Sequence, residues 1–310
     1  MHRYVMKRLI LIIPILLGVS FIVFFITALT PGDPATLILG TGAELEAIDA
    51  LNRELGYDKP FFIRYARYIY DLVVNQDMGR SYRSQMPVSE IVLRRAPTSV
   101  LIAFNGMLCA CIIGIPLGVL SAVKQYSATD TMSTTTAMFF AAVPSFWLGM
   151  MLMYIFSLKL GWLPSNGVDS WRHYILPMFA IGLPFAAHQL RFTRSTMLES
   201  VRQDYIRTAR AKGASEHTVI WKHALKNALL PVITITGINF GGLLGGAMIT
   251  ETVYSIPGLG MLLVSSIKMK DVPVVMGTTL FLAVFFCLIM LAVDLMYAFV
   301  DPRIKAKYTR

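Results

Sequence analysis

The chain has 310 residues, of which 55% are hydrophobic and 15% charged, and its formal net charge is +10 at pH 7. So apolar a composition excludes an ordinary soluble domain and indicates a polytopic membrane protein. Its long apolar runs predict an all-α fold. The three cysteines, Cys109, Cys111 and Cys287, all lie in apolar stretches, so neither a disulfide framework nor a metal site is predicted.

Hydropathy predicts six membrane-spanning helices, at residues 9–29, 98–123, 137–158, 174–190, 228–250 and 272–300. A cleaved signal peptide is the alternative for the first, but its apolar run is longer than a signal's apolar core and no small-residue cleavage site follows. Four prolines inside these spans should kink the helices that contain them: Pro144, Pro177, Pro184 and Pro231.

The segment from Thr30 to Pro97 is the one sizeable polar piece between spans, and it is predicted to be external. It opens with the turn signal Pro31-Gly32-Asp33-Pro34. Two amphipathic helices are predicted after it, at Glu44–Leu55 and Phe61–Val74, because apolar residues recur there at helical spacing. The segment is either a small cap over the membrane face or a docking surface for a binding protein.

The distribution of basic residues predicts the orientation of the six spans. With both termini in the cytoplasm, the inner loops and ends carry 16 Lys and Arg residues, while the short outer loops carry 4. The long external segment is left out, because long loops translocate largely regardless of charge. The asymmetry accounts for the basic net charge, so nucleic-acid binding is not needed to explain it. It also places loop 191–227 in the cytoplasm.

Within that loop, the sequence predicts two short helices that turn at Gly213. Basic and small residues alternate before the glycine, and Ser215 is a good N-cap for the helix that follows. A glycine between helices supplies a turn with positive φ, which other residues adopt only at a cost. A rigid basic hairpin on a membrane protein indicates a partner.

The stretches DYIRTARAKG and HALKNALLPV in this loop resemble the coupling loop of the permeases of ATP-binding-cassette (ABC) importers, in the form taken by the dipeptide, oligopeptide and nickel subfamily. Of the general Glu-Ala-Ala-x-x-x-Gly pattern, only Ala209 and Gly213 match. The stretches GYDKPFFIRYARYI, AVPSFWLGMML, GWLPSNG, GGLLGGAMITETVYSIPGLG and DLMYAFVDPR resemble the same subfamily, in the expected order over nearly the whole chain.

The resemblance implies a multi-pass permease domain in the bacterial inner membrane and a set of partners for it. These are a second homologous permease subunit, two cytoplasmic ATPase subunits, a periplasmic or lipid-anchored solute-binding protein and membrane lipid. It also implies that residues of the loop contact the ATPase: Arg207, Thr208, Ala209, Arg210, Lys212, Gly213, Ser215, His223 and Leu225. The substrate stays open among dipeptides, oligopeptides, glutathione-like peptides and nickel chelates.

Three further groups are candidates for a role. Glycines spaced by four suit close helix packing and could also line the path or face the partner permease: Gly237, Gly241, Gly242, Gly245 and Gly246. An outer gate, or a plain turn, is predicted at Glu251, Tyr254, Pro257 and Gly258. Asp294 is an acid inside an apolar span, for which a structural partner is favoured over proton relay.

Missing motifs separate the remaining function classes. No Gly-x-x-x-x-Gly-Lys-Ser/Thr loop is present, so the chain is not expected to be an enzyme, and ATP and Mg²⁺ should be bound by partner subunits, with no cofactor in this chain. A secondary transporter would need repeats and several buried ionisable groups. An intramembrane enzyme would need a catalytic pair at membrane depth, and a passive channel would not explain the hairpin.

Overall fold

A computed structural model describes residues 2–29, 33–40 and 42–300, without the side chains of residues 2–4, 246 and 297–300. Across these ranges the regular structure is helical, apart from an isolated bridge between Arg80 and Pro87. The Pro31-Gly32 part of the predicted turn lies outside the described residues. Asp33 is the N-cap of a short helix, its carboxylate accepting from the N–H of Ala35 at 3.1 Å.

The first four helices are α1 (His2–Leu29), α2 (Pro34–Leu39), α3 (Leu45–Glu54) and α4 (Phe61–Val74). They are followed by α5 (Val88–Val123), α6 (Ala128–Ala142), α7 (Ser145–Leu152), a π-helical turn at Met153–Lys159 and a 3₁₀ turn at Trp171–Tyr174. Next come α8 (Ile175–Val201), α9 (Asp204–Ala211), α10 (Glu216–Thr218), a π-helical turn at Val219–Ala224, α11 (Leu225–Val253), α12 (Leu259–Lys268) and α13 (Val272–Val300).

Four of the described helices are long and apolar enough to cross a membrane: Val5–Leu29, Val88–Val123, Glu216–Val253 and Val272–Met296. They contain the first, second and fifth predicted spans and residues 272–296 of the sixth. The fourth predicted span lies in α8, which continues from Leu190 to Val201 with charged residues. The total of six spans and the cytoplasmic termini stay predictions.

The third predicted span is not one straight helix. Its helices, Ala128–Ala142 and Ser145–Lys159, are bent by 101° relative to each other, which makes the pair a broken span or a re-entrant loop. Val143 has extended backbone (ψ 126°) directly before Pro144. The ring of a proline disfavours helical geometry at the residue before it, so the expected kink at Pro144 is confirmed. Pro184 and Pro231, in contrast, lie inside continuous helices.

The described part of the chain divides into two compact units, and the first comprises residues 2–5, 98–260 and 288–300. In this unit α8 is central, packing against α6, α7 and α11. Helix α5 approaches α8 through two glycines spaced by four. A Cβ on Gly114 would lie 2.6 Å from the carbonyl oxygen of Ala186, and one on Gly118 2.7 Å from that of Leu190. The two helices therefore pack backbone to backbone, as small-xxx-small pairs do in membranes.

The second unit comprises residues 6–97 and 261–287. In it the aromatic face of α4 packs on α1. The rings of Phe21 and Tyr65 meet edge to face at 5.3 Å, and the Tyr65 hydroxyl donates to the carbonyl of Leu17 at 3.1 Å. The opposite face of α4, including Phe62 and Val73, is exposed. Both predicted amphipathic helices are confirmed as α3 and α4. The apolar face that predicted the second helix is the face that packs on α1.

Candidate functional site

The helical hairpin around Gly213 is formed by α9 and the helix that starts at Glu216. Gly213 has φ +79°, and its N–H bonds the carbonyl of Arg210 at 2.9 Å. Ser215 is the N-cap of the second helix, its hydroxyl accepting from the N–H of Thr218 at 3.4 Å. The predicted glycine turn and serine cap are thus confirmed. The second helix is not short, however, because it continues without interruption to Val253.

A bidentate salt bridge spans the turn of the hairpin. The Arg210 guanidinium contacts the two carboxylate oxygens of Glu216 at 2.7 and 3.1 Å, and these hydrogen bonds lower the pKa of Glu216. Arg207 lies 3.7 Å from Asp204. For Lys212 no ion pair is found within the described ranges. Of the three predicted basic contacts, Arg210 and Arg207 therefore already have acid partners inside the hairpin.

An apolar cluster fixes the hairpin to the rest of the first unit. Ile206, Val219 and Ala224 are fully buried, and they pack with Val119 of α5 and Met197 of α8. The hydroxyl of Ser200 adds a hydrogen bond of 2.9 Å to the carbonyl of Ala224. Such a hairpin cannot swing freely, because any displacement of its tip is transmitted to the helices that share its core.

The predicted contact residues differ in what they present to a partner. Thr208, Lys212 and Ser215 are exposed with Gly213 at the tip. Ala209 is 9% exposed and lies in the apolar cluster, so it supports the hairpin from inside. His223 and Leu225 are half-buried where the hairpin joins α11. The exposed tip is therefore the part of the loop that a partner can reach.

A buried ion pair between α6 and α8 escaped the sequence analysis. The Asp130 carboxylate is bound by the guanidinium of Arg194 at 2.7 and 2.8 Å, by the hydroxyl of Ser121, and by the N–H of Tyr126 at 2.9 Å. Hydrogen bonding by Arg194, followed by that of Ser121 and Tyr126, lowers the pKa of Asp130. The only available signal was an acid in the first turn after the cap Ser127.

The predicted outer gate is a tightly packed junction in the first unit. Glu251 is completely buried and accepts from the hydroxyl of Ser99 at 2.5 Å, which in turn accepts from the N–H of Leu259 at 2.7 Å. A Cβ on Gly258 would overlap the Glu251 carboxyl. The Tyr254 hydroxyl donates to the carbonyl of Gly149 at 2.8 Å. Pro257 is exposed, while the residues around it are held from several sides.

The glycine series on α11 does not form one uniform surface. A Cβ on Gly237 would overlap Val293, and one on Gly242 would touch Phe185 at 3.4 Å, so both face neighbouring helices of the unit. Gly241 is half-buried. Gly245 is exposed with open space beside it, whereas Gly246 is among the residues whose surroundings the structure does not describe.

Two remaining predictions concern an acid and metals. Asp294 is half-buried and has an interaction partner. Its structural role stays a prediction. Among the described residues, no group of three or more His, Cys, Asp or Glu side chains is arranged to hold a metal ion.

The long apolar helices and the rigid polar hairpin define a helical integral membrane protein. Residues 1–103 match the family model described as the N-terminal part of a binding-protein-dependent transport system membrane component. Residues 114–306 match that of a binding-protein-dependent transport system inner membrane component. The chain belongs to this family and is a permease of a bacterial ABC importer in the inner membrane.

Curated relatives match over the full length. The chain is 44% identical to the glutathione transport system permease protein GsiC of Salmonella paratyphi A (strain ATCC 9150 / SARB42), over 99% of this chain and 100% of the relative. Identity to the protein of the same name in Escherichia coli (strain K12) is 42%, with the same coverage.

Solved structures agree with the fold. An inward-facing MetNI methionine ABC transporter in its CY5 native crystal form superposes with a TM-score of 0.56 at 19% identity, over 69% of this chain and 97% of that chain. A SeMet soak crystal form of the same transporter gives a TM-score of 0.53 at 19% identity, over 68% of this chain and 96% of that chain.

Proposed function

We propose that this chain is a permease subunit that imports short peptides of the glutathione kind. The observation that carries the substrate class is the 44% identity that extends over 99% of this chain and all of a relative named as a glutathione permease. The sequence offers no Cys/His cluster that would favour a metal chelate. Peptides are therefore the first substrates to test.

We further propose that the chain does not hydrolyse ATP itself and that the hairpin tip receives the motion of cytoplasmic ATPase subunits. The exposed tip around Gly213, with a rigid core behind it, suits this role, since a force transmitter has to be stiff. A second homologous permease would complete the path. A solute-binding protein would deliver substrate at the external segment, where α4 exposes Phe62 and Val73.

The test is reconstitution with the transport components whose genes neighbour the gene of this chain in the genome of its source organism. The permease pair, the ATPase subunits and the binding protein are placed in proteoliposomes, and uptake of radiolabelled glutathione, a dipeptide and a nickel chelate is compared. ATP-dependent uptake of the peptides but not of the chelate is expected. Uptake of nickel alone would contradict the substrate class.

The competing function is proton-coupled transport by the chain alone. A peptide gradient formed by the isolated permease under an imposed proton gradient, without ATPase subunits, would overturn the proposed dependence on partners. The expected result is no accumulation by the isolated chain and no ATP hydrolysis, since the sequence has no phosphate-binding loop.

A further inference from the structure

The second unit contains a cavity of about 450 Å³ that none of the predicted roles uses. It is formed by α4, by the turn that precedes it, by the loop at residues 77–85 and by the first turns of α13. We call it the outer pocket. Its volume lies in the range of about 300–1,000 Å³ that is typical of small-molecule sites.

The charges of the outer pocket are mixed, with an excess of cations. Its lining contains four basic residues, Lys59, Arg64, Arg67 and Arg80, and three acidic ones, Glu54, Asp71 and Asp77. Within the described chain, the one ion pair among these residues joins Arg67 to Asp71 at 3.8 Å. A pocket that presents both signs of charge suits a zwitterion better than a simple anion.

Arg64 is the best placed of these cations to bind a carboxylate. Its guanidinium lies 3.8 Å from the centre of the Tyr57 ring, and the Tyr57 hydroxyl is 2.9 Å from that of Tyr82. Stacking fixes the plane of the guanidinium without using its N–H groups. No acid pairs with Arg64 among the residues that the structure describes. A fixed guanidinium can form two parallel hydrogen bonds to a carboxylate.

Tyr68 provides an independent observation that points to a ligand. This residue lines the pocket, and its ring packs at 5.8 Å from that of Phe24. Its hydroxyl is buried and has no hydrogen-bond partner within the described ranges. Burial raises the pKa of Tyr68, so the hydroxyl keeps its proton and can donate. Buried polar groups are nearly always paired, and an exception calls for an explanation such as a bound molecule.

We propose that the outer pocket binds a short zwitterionic peptide, with the carboxylate on Arg64 and a hydrogen bond from Tyr68. The aromatic rings of the lining would cover its apolar parts, and the pocket acids would face its ammonium group. The site would hold substrate on this segment before it enters the membrane path. The choice of a peptide rests on the proposed function.

The experiment measures peptide binding to the assembled permease–ATPase complex in lipid nanodiscs, without the solute-binding protein. Glutathione and dialanine are the probes, and calorimetry gives the dissociation constant. Tyr68→Phe should weaken binding about tenfold, the effect of losing one hydrogen bond to a charged group. The same variant should keep or raise the unfolding temperature, because it removes a buried hydroxyl that is unpaired in the free protein. Tyr70→Phe is the matched control, since Tyr70 is 58% exposed on the same helix and outside the pocket lining.

A ligand change tests the carboxylate contact directly. Dialanine amide lacks the carboxylate, so it should bind to the wild-type complex about tenfold more weakly than dialanine does. In Arg64→Gln the guanidinium is already absent, so dialanine and its amide should bind with the same, weakened affinity. Wild-type affinity in Tyr68→Phe, or an unchanged effect of amidation in Arg64→Gln, would overturn the proposal. Binding of glycerol phosphate but not of peptide would also overturn it, in favour of a lipid headgroup.

The two proposals fail separately. If the reconstituted transporter takes up peptide and both pocket variants bind peptide as the wild type does, the pocket site is refuted and the proposed function stands. If the transporter takes up no peptide but peptide binding depends on Tyr68, the proposed transport substrate is refuted and the pocket site stands.

Discussion

Replacing Gly213 with valine should abolish uptake by the assembled transporter while leaving the permease folded and abundant. Gly213 has φ +79°, and a Cβ there would meet no heavy atom within 4 Å. The cost is therefore confined to the backbone, and forcing a β-branched residue into this region costs about 1–2 kcal/mol. The turn can avoid the strain only by changing its dihedral angles, which would move the exposed tip.

The core of the hairpin is strong enough to survive this strain. Ile206 and Val219 are both fully buried, and each such side chain contributes about 1.5–3 kcal/mol. Gly213→Val should therefore redirect the tip without unfolding the hairpin. Ile206→Ala, in contrast, should cost about 2–5 kcal/mol and reduce the amount of folded permease.

The assay compares ATP-dependent uptake, permease abundance and co-purification of ATPase subunits for three variants. Gly213→Asn is the matched control, because asparagine adopts positive φ far more readily than valine and adds a side chain of similar size. Uptake should persist in Gly213→Asn and disappear in Gly213→Val, with fewer ATPase subunits co-purifying. Wild-type uptake by Gly213→Val would show that the hairpin is only a connector.

Three further predictions concern stability and topology. Asp130→Asn leaves a mostly buried arginine without its acid and should reduce the free energy of unfolding by about 3 kcal/mol in denaturant titrations. The pKa of Asp130 is lowered in the folded state, so the stabilisation by its ion pair is present at neutral pH and should be lost as the pH falls through that lowered value. If Asp130→Asn reduced the free energy of unfolding by the same amount in acid as at neutral pH, the ion pair would not be the source of the stabilisation. Gly258→Ala should lower the unfolding temperature measured by a thiol-reactive dye, whereas Gly245→Ala, which has open space, should not. In a cysteine-free background, an impermeant maleimide should label Ser84→Cys but not Arg202→Cys in intact cells, and the reverse pattern would invert the topology.

Local signals in the sequence predicted local structure well. The spacing of apolar residues identified α3 and α4, and the glycine and serine of the hairpin predicted its turn and its N-cap. These features depend on residues a few positions apart, so a single sequence contains the information.

Helix ends were predicted less well, because hydropathy detects only the apolar part of a helix. Helix α5 begins at Val88, ten residues before the predicted span, in polar turns where Arg94 and Glu90 pair at 2.9 Å. In the same way, the helix of the fifth span begins at Glu216, within the polar loop. The apolar helix α12 was missed, since an outer gate or a plain turn was expected directly before it.

Contacts between distant residues were beyond the reach of sequence reasoning. Asp130 and Arg194 are 64 positions apart, and nothing local pairs them. Ser81 lies in the polar external segment, where nothing local predicts burial. Its hydroxyl nevertheless donates to the Asp271 carboxylate at 2.5 Å and the residue is 2% exposed, so the exposed Ser84 is the better position for the topology test.

The contacts within the first unit also decide how a force on the hairpin would travel. Near the C-terminal end of α5, Val119 shares the apolar cluster with the hairpin, and earlier in the same helix Ser99 bonds Glu251 near the end of α11. The helix that carries Glu251 is continuous with the second hairpin helix. Two helices fastened to each other at two separate points must move together, because neither junction leaves room for sliding. A displacement of the tip would therefore shift α5 and α11 as one body, and substitutions in the junctions should reduce stability first, whereas substitutions at the exposed tip should reduce coupling alone.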